Sequence, residues 1–145
     1  FFDPQQARQV PFIRKRAAQL FSKTRFISAQ FEAYLNNDLW IRLATHANAM
    51  AVKLVEGINA SEALHLAWPC QSNEVFVTMP KPLAERLQES GARFYPWPVP
   101  ADYLDQMKPG DGLYRLVTSF ATEASHVNDF LKHCSTFVAE SSVSN

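Results

Sequence analysis

The chain has 145 residues, the size of one ordinary domain, and its 47% hydrophobic content predicts a folded core. Its 14 basic and 14 acidic residues cancel, which argues against a nucleic-acid-binding protein and against a polybasic membrane anchor. No apolar run approaches the roughly 18 residues of a membrane span, so we expect a soluble protein with neither a nucleic-acid nor a membrane partner.

The chain begins with two phenylalanines and no initiator methionine, as the stretch Phe1-Phe2-Asp3-Pro4. Two phenylalanines suit the end of a buried strand, and Asp3-Pro4 suits a turn into a helix. We therefore expect that a longer protein has been cut here.

The first third of the sequence predicts helices. Short helical runs are expected over residues 4–10, 12–20 and 26–35. A longer helix should begin after Asp38, a candidate N-cap, and end near Gly57. Its apolar residues recur at helical spacing and many are alanines, so this helix can pack closely against a neighbour.

From residue 62 the pattern changes to alternating strands and helices. Strands are predicted over residues 65–68, 73–80, 93–97 and 113–120, and helices over residues 81–91 and 122–138. This order predicts an α+β fold, in which helices cover one face of a sheet of three or four strands. The polar end, residues 139–145, is expected to fray.

Arg115 lies in the middle of the apolar run LYRLVTSF, residues 113–120. Strand alternation places it on the same face as Leu113, Val117 and Ser119. A guanidinium buried there needs an anionic partner, because an unpaired buried charge costs several kcal/mol. That anion is either Glu74, on the strand NEVFV, or the carboxylate of a ligand, and periodicity does not choose between them.

Other candidate sites are weak. The sequence has no nucleophile elbow, zinc-protease motif, phosphate-binding loop or dinucleotide fingerprint. Its two cysteines, Cys70 and Cys134, match no zinc or disulfide pattern, which favours a reduced, cytoplasmic setting. The four histidines lack the spacing of a metal site on one helix face, so no metal is expected, and His46 is interpreted as a packing residue.

The basic run Arg14-Lys15-Arg16, followed by Lys23 and Arg25, has two interpretations. It can be a solvated helix face, or it can bind an anion such as a phosphate. The residues alone leave both open.

Several segments together resemble the C-terminal part of the low-specificity L-threonine aldolases. These are, in order, RKRAAQLFSKTRFISAQFEAYL, DLWIRLATHANAMA, NEVFV, RFYPW and YRLVTSF, and the resemblance runs from residue 1 to about residue 135. That family depends on pyridoxal 5'-phosphate (PLP) and has the aspartate-aminotransferase fold, fold type I. The resemblance implies that residues 1–60 are the end of a large PLP domain with linking helices, and that residues 61–138 are the small C-terminal α+β domain.

The implied activity is that of a carbon-carbon lyase. Such an enzyme cleaves L-threonine or L-allo-threonine, small β-hydroxy amino acids, to glycine and acetaldehyde, with PLP as the electron sink. By the same resemblance the complete enzyme is a homodimer or homotetramer.

The resemblance also assigns roles to three residues. Arg115 matches the arginine that binds the substrate carboxylate, and Lys15 and Arg25 match basic positions near the cofactor. The lysine that forms the Schiff base with PLP is expected upstream of Phe1, and Lys23 is not its substitute. No catalytic residue is therefore expected in this chain, and the fragment alone should be inactive.

Two alternatives remain open. Another PLP enzyme of the same fold, such as a β-eliminating lyase or an aminotransferase-like protein, would also use an arginine at this strand. A non-enzymatic α+β interaction domain would instead fold as a compact monomer.

Overall fold

The computed structural model describes the backbone of residues 3–143 and the side chains of residues 3–141. The predicted strand end at Phe1-Phe2 lies outside the described residues. Besides two short 3-10 helices, Asn36–Asp38 and Ala101–Gln106, the described part contains these α-helices and strands in chain order: α1 (Pro4–Ala7), α2 (Val10–Arg16), α3 (Thr24–Leu35), α4 (Leu39–Asn59), β1 (His65–Leu66), β2 (Glu74–Pro80), α5 (Lys81–Glu89), β3 (Tyr95–Pro96), β4 (Asp111–Val117) and α6 (Ala124–Val143).

The chain divides into two compact units, Phe1–Leu39 and Trp40–Asn145. The first unit holds α1, α2 and α3, and none of its described residues is buried. The second unit holds all four strands together with α5, α6 and nearly all of α4. The predicted assignment of residues 1–60 to a large domain and its linking helices stays a prediction.

The second unit is built on a four-stranded antiparallel sheet with the order β1-β2-β4-β3. Strands β2 and β4 pair along seven residues each, from Glu74 opposite Val117 to Pro80 opposite Asp111. The two edge strands contain only two residues each. The predicted α+β fold with a sheet of three or four strands is confirmed.

One face of the sheet forms the core with the helices. Alternate residues of β2 and β4 point to this face, because successive side chains of a strand alternate between its two faces. They pack into one apolar cluster with residues of α4, α5 and α6; the buried strand residues of this cluster are Val75, Val77, Met79, Tyr114 and Leu116. The predicted covering of one face by helices follows from this cluster.

Helix α4 buries the face that its periodicity predicts. Ala47, Ala51, Leu54 and Ile58 are its buried residues. Gly57 lies close to the side chain of Leu131 in α6, where a β-carbon would overlap with that leucine. The absence of a β-carbon at Gly57 thus allows α4 and α6 to approach each other.

The last strand is shorter at its C-terminal end than predicted. It ends at Val117, not at Phe120, because the chain turns at Ser119, whose backbone N–H donates to Thr122 Oγ1 at 2.9 Å. The hydroxyl of Thr118 donates to the carbonyl of Ala47 at 2.8 Å and so fixes the strand end to α4. Side-chain hydrogen bonds of this kind compete with strand pairing.

Helix α6 is longer than predicted and continues to Val143. Residues 139–143 of the segment expected to fray are therefore helical, and the last two residues lie outside the described part. Among the described residues, no helix has both the length and the apolar character needed to cross a bilayer.

Candidate functional site

Arg115 lies at the middle of β4, one of the two central strands of the sheet. It is opposite Phe76 of β2 and Tyr95 of β3, which places it between two neighbouring strands. Its side chain is on the face that does not pack against the helices, since Tyr114 and Leu116 on either side of it point into the core. The predicted alternation of β4 is therefore correct at this residue.

The surroundings of Arg115 are more open than the sequence suggests. Its side chain is 35% exposed, so the expectation of a buried guanidinium is wrong. The reason is that the residues of α4, α5 and α6 in the core cluster pack on the other face and do not cover this guanidinium. Solvent and small solutes can therefore reach the guanidinium.

Glu74 is the anion that pairs with Arg115 in the structure. The Arg115 Nη1 donates to Glu74 Oε1 at 3.3 Å, and the Glu74 side chain is 42% exposed. Glu74 is opposite Val117, so the pair runs diagonally between β2 and β4. An ion pair this exposed contributes only about 0–1 kcal/mol to the free energy of unfolding. The ion pair therefore gives the guanidinium an anionic partner but holds it in place only weakly.

Trp97 provides the second contact of the guanidinium. The Arg115 Cζ lies 4.8 Å from the centre of the Trp97 ring, within the range of a cation–π interaction. The backbone N–H of Trp97 donates to the carbonyl of Leu113 at 2.8 Å, which ties the loop after β3 to β4. The ring is thereby held beside the arginine.

An aromatic cleft lies next to the pair. It has a volume of about 410 Å³, and its lining is Trp68, Pro69, Gln71, Ser72, Glu74, Phe76 and Trp97. The ring of Phe76 packs edge-on against both tryptophans, with centroids 5.0 Å from Trp68 and 5.3 Å from Trp97. Arg115 contacts two of the lining residues, so a ligand in this cleft would lie beside its charge.

Trp68 and Trp97 were not among the site residues predicted from the sequence. Both were assigned only to predicted strands, whereas both follow the two-residue edge strands in the structure. Each is followed directly by a proline, Pro69 or Pro98. A Trp-Pro pair just after an edge strand was the signal that could have indicated fixed aromatic residues at the rim of the sheet.

Lys15 and Arg25 belong to the first unit, whereas Arg115 belongs to the second. Lys15 is exposed in the last turn of α2, where basic side chains interact favourably with the helix dipole. Arg25 is exposed near the start of α3, with its guanidinium 5.0 Å from the centre of the Phe26 ring. Both side chains offer charged hydrogen-bond donors to solvent, and such donors suit a phosphate group.

The remaining candidates have structural surroundings. His46 is hydrogen-bonded through Nε2 to the carbonyl of Thr122 at 2.8 Å, as expected of a satisfied histidine. Burial raises the pKa of the Cys134 thiol to about 12, so this thiol stays protonated at neutral pH and is no nucleophile. Among the described residues, no three metal-binding side chains come together.

Comparison with known proteins identifies relatives along most of the chain. No protein-family model matches. A low-specificity L-threonine aldolase of Pseudomonas aeruginosa is 31% identical over 132 residues, which are 91% of this chain and 35% of that protein. The enzyme of the same name from Pseudomonas sp. strain NCIMB 10558 is 33% identical over 129 residues, 89% of this chain and 34% of that protein.

A solved structure agrees with these relatives. A threonine aldolase of Leishmania major superposes with a TM-score of 0.64 at 29% identity, over 75% of this chain and 29% of that one. The match places the fold among the fold-type-I PLP enzymes. The resemblance expected from the sequence segments is confirmed: the chain is related to a part, about one third, of the low-specificity L-threonine aldolases.

Proposed function

We propose that the chain is the C-terminal part of a PLP-dependent aldolase, which cleaves L-threonine or L-allo-threonine to glycine and acetaldehyde. One observation carries the proposal: Arg115 presents a reachable guanidinium beside a cleft, in a chain related to threonine aldolases along nine-tenths of its length. We call the full-length protein the complete enzyme.

In this proposal Arg115 binds the carboxylate of the substrate. A planar guanidinium can hold a carboxylate through two parallel hydrogen bonds, which fixes the orientation of the amino acid as well as its position. Fixing the carboxylate limits rotation about the bond between the amino nitrogen and Cα. The bond between Cα and Cβ, which is the one to be broken, therefore keeps one orientation in the complete enzyme. Arg115 thus acts in binding and orientation, without taking part in proton transfer.

Lys15 and Arg25 are the residues of this chain that would hold the cofactor. Their exposed ammonium and guanidinium groups suit the phosphate of PLP, which carries two negative charges. PLP, when bound in the complete enzyme, supplies the electron sink for breaking the bond between Cα and Cβ. The proposal assigns the catalytic lysine to the part of the complete enzyme that precedes these 145 residues.

The direct test is an aldolase assay on the complete enzyme and on the 145-residue chain. We expect the complete enzyme to release acetaldehyde and glycine in equal amounts from L-threonine or L-allo-threonine, and the chain alone to release neither. Acetaldehyde can be followed through its reduction by an NADH-dependent alcohol dehydrogenase.

Two outcomes would contradict the proposal. Release of 2-oxobutyrate and ammonia from threonine, without acetaldehyde, would indicate a β-eliminating lyase. A gene that encodes only these 145 residues would favour the interaction domain, since the lysine that anchors PLP would then be absent.

A further inference from the structure

Arg115 already holds a carboxylate in the structure. The Glu74 Oε1 accepts a hydrogen bond from Nη1 at the relatively long distance of 3.3 Å. Among residues 3–141, the other guanidinium nitrogens form no further hydrogen bond to the protein. The ion pair therefore engages one edge of the guanidinium and leaves donors available for a second acceptor.

We infer that Glu74 is an exchangeable counter-ion, which occupies Arg115 in the absence of substrate and competes with the substrate carboxylate for it. The inference rests on the proposed function, because it assigns Glu74 a part in substrate binding at the same arginine. The chemistry of the two ligands is the same, as each offers a carboxylate to one guanidinium.

The positions of the two side chains permit an exchange. Glu74 is 42% exposed and lines the cleft, so its carboxylate can turn into solvent without leaving a buried charge unpaired. Arg115 keeps its contact with the Trp97 ring, 4.8 Å away, when the carboxylate moves. The guanidinium therefore stays in place while its anion changes.

Glu74 also weakens the electrostatic attraction between Arg115 and the substrate carboxylate. A carboxylate 3.3 Å from Nη1 offsets much of the positive charge, whether it leaves the arginine or stays beside it. Either way, the substrate carboxylate binds less tightly than it would to Arg115 alone. The presence of Glu74 should thus raise the KM, whereas a residue that only supports the site would lower it.

The test is Glu74→Gln in the complete enzyme. Glutamine has nearly the same shape and keeps an oxygen for Arg115, but it removes the negative charge. We expect the KM for L-threonine to fall about twofold to fivefold, in line with the modest strength of exposed ion pairs, with little change in kcat. The inhibition constant of glycine, which carries the same carboxylate, should fall by the same factor.

Glu140→Gln is the matched control. Glu140 pairs with Arg86 between α5 and α6, so this variant also removes one carboxylate from an exposed arginine pair. Neither the KM nor the glycine constant should change. Absorbance of the bound cofactor and the melting temperature report whether each variant is folded and loaded.

The possible results separate this inference from the proposed function. Absence of aldolase activity in the unsubstituted complete enzyme would overturn the proposed function, and this inference with it. If the enzyme is active and Glu74→Gln leaves the KM unchanged or raises it, the proposed function stands and the inference is wrong. Glu74 would then only support the arginine.

Discussion

The Arg115 guanidinium lies between an aromatic ring and a carboxylate, and these two neighbours restrict it in different ways. The Trp97 ring limits the plane in which the guanidinium can lie, while Glu74 supplies charge. A substrate carboxylate can take the place of the Glu74 carboxylate, but it cannot take the place of the Trp97 ring. Trp97 is therefore the residue that we expect to position Arg115.

Trp97→Leu should separate positioning from structural support. Losing the ring removes a cation–π contact worth about 0.5–1 kcal/mol at an exposed site, so the KM for L-threonine should rise about twofold to fivefold. Trp97→Phe keeps an aromatic face and should restore most of the affinity. Steady-state kinetics of the complete enzyme provides the measurement. Equal KM values for the two variants would show that Trp97 acts through packing alone.

Single residues also show how far the sequence predicts this site. Alternation along LYRLVTSF correctly places Arg115 and Val117 on one face, because a strand has a fixed period of two residues. The exposure of the Arg115 side chain was not predictable, since the period of one strand does not tell which of its residues other elements cover. The contact with Trp97 was not predictable either, because a loop of prolines brings the ring to the arginine.

At the scale of elements, α4 and α6 approach each other closely where Gly57 meets Leu131. Gly57 of α4 lies against Leu131 of α6, and the buried Cys134 belongs to the same apolar cluster. The alanines of α4 predict a helix that can pack closely against a neighbour, whereas Gly57, where the close approach occurs, was predicted only to end the helix. The sequence could not identify α6 as the helix that packs against α4 at Gly57, since the two helices are far apart in the chain.

Gly57→Ala tests this packing. Alanine favours a helix over glycine by about 1 kcal/mol, but its methyl group would overlap with the Leu131 side chain, and overpacking costs about 1–3 kcal/mol. We therefore expect a net loss of up to about 2 kcal/mol in the free energy of unfolding, measured by urea denaturation.

The control is the same substitution in a Leu131→Ala background. With the leucine shortened, Gly57→Ala should become neutral or stabilising, because only the gain in helix propensity remains. Asn48→Ala, at an exposed position of α4, should be stabilising in both backgrounds. A stabilising effect of Gly57→Ala in the otherwise unsubstituted protein would contradict this, because it would mean that the space between α4 and α6 accommodates the added methyl group.

At the scale of the whole molecule, the two units differ in how they bury their apolar residues. The second unit has one continuous core, whereas large apolar side chains of the first unit are exposed; Phe12 is 66% exposed, Phe31 61% and Leu35 59%. Exposed apolar surface of this extent is typical of a region that packs against other protein. This agrees with a chain that spans about one third of its curated relatives.

The same division explains what the sequence could predict of the molecule. The order of helices and strands in residues 62–138 was readable, since prolines, glycines and apolar periodicity mark each element. The relatedness to threonine aldolases was readable from the segments around Arg115 and in α3 and α4. The helices of the first unit were predicted as elements, but their helical spacing does not indicate which surface covers them.

The central claim, that Arg115 binds the substrate carboxylate, is tested most directly by Arg115→Lys in the complete enzyme. Lysine keeps the positive charge but loses the two-bond grip of the guanidinium, so the KM for L-threonine should rise well over about tenfold. The absorbance of bound PLP should stay unchanged, because Arg115 is assigned to the substrate and not to the cofactor. An unchanged KM would contradict the account and leave Arg115 as a structural partner of Glu74.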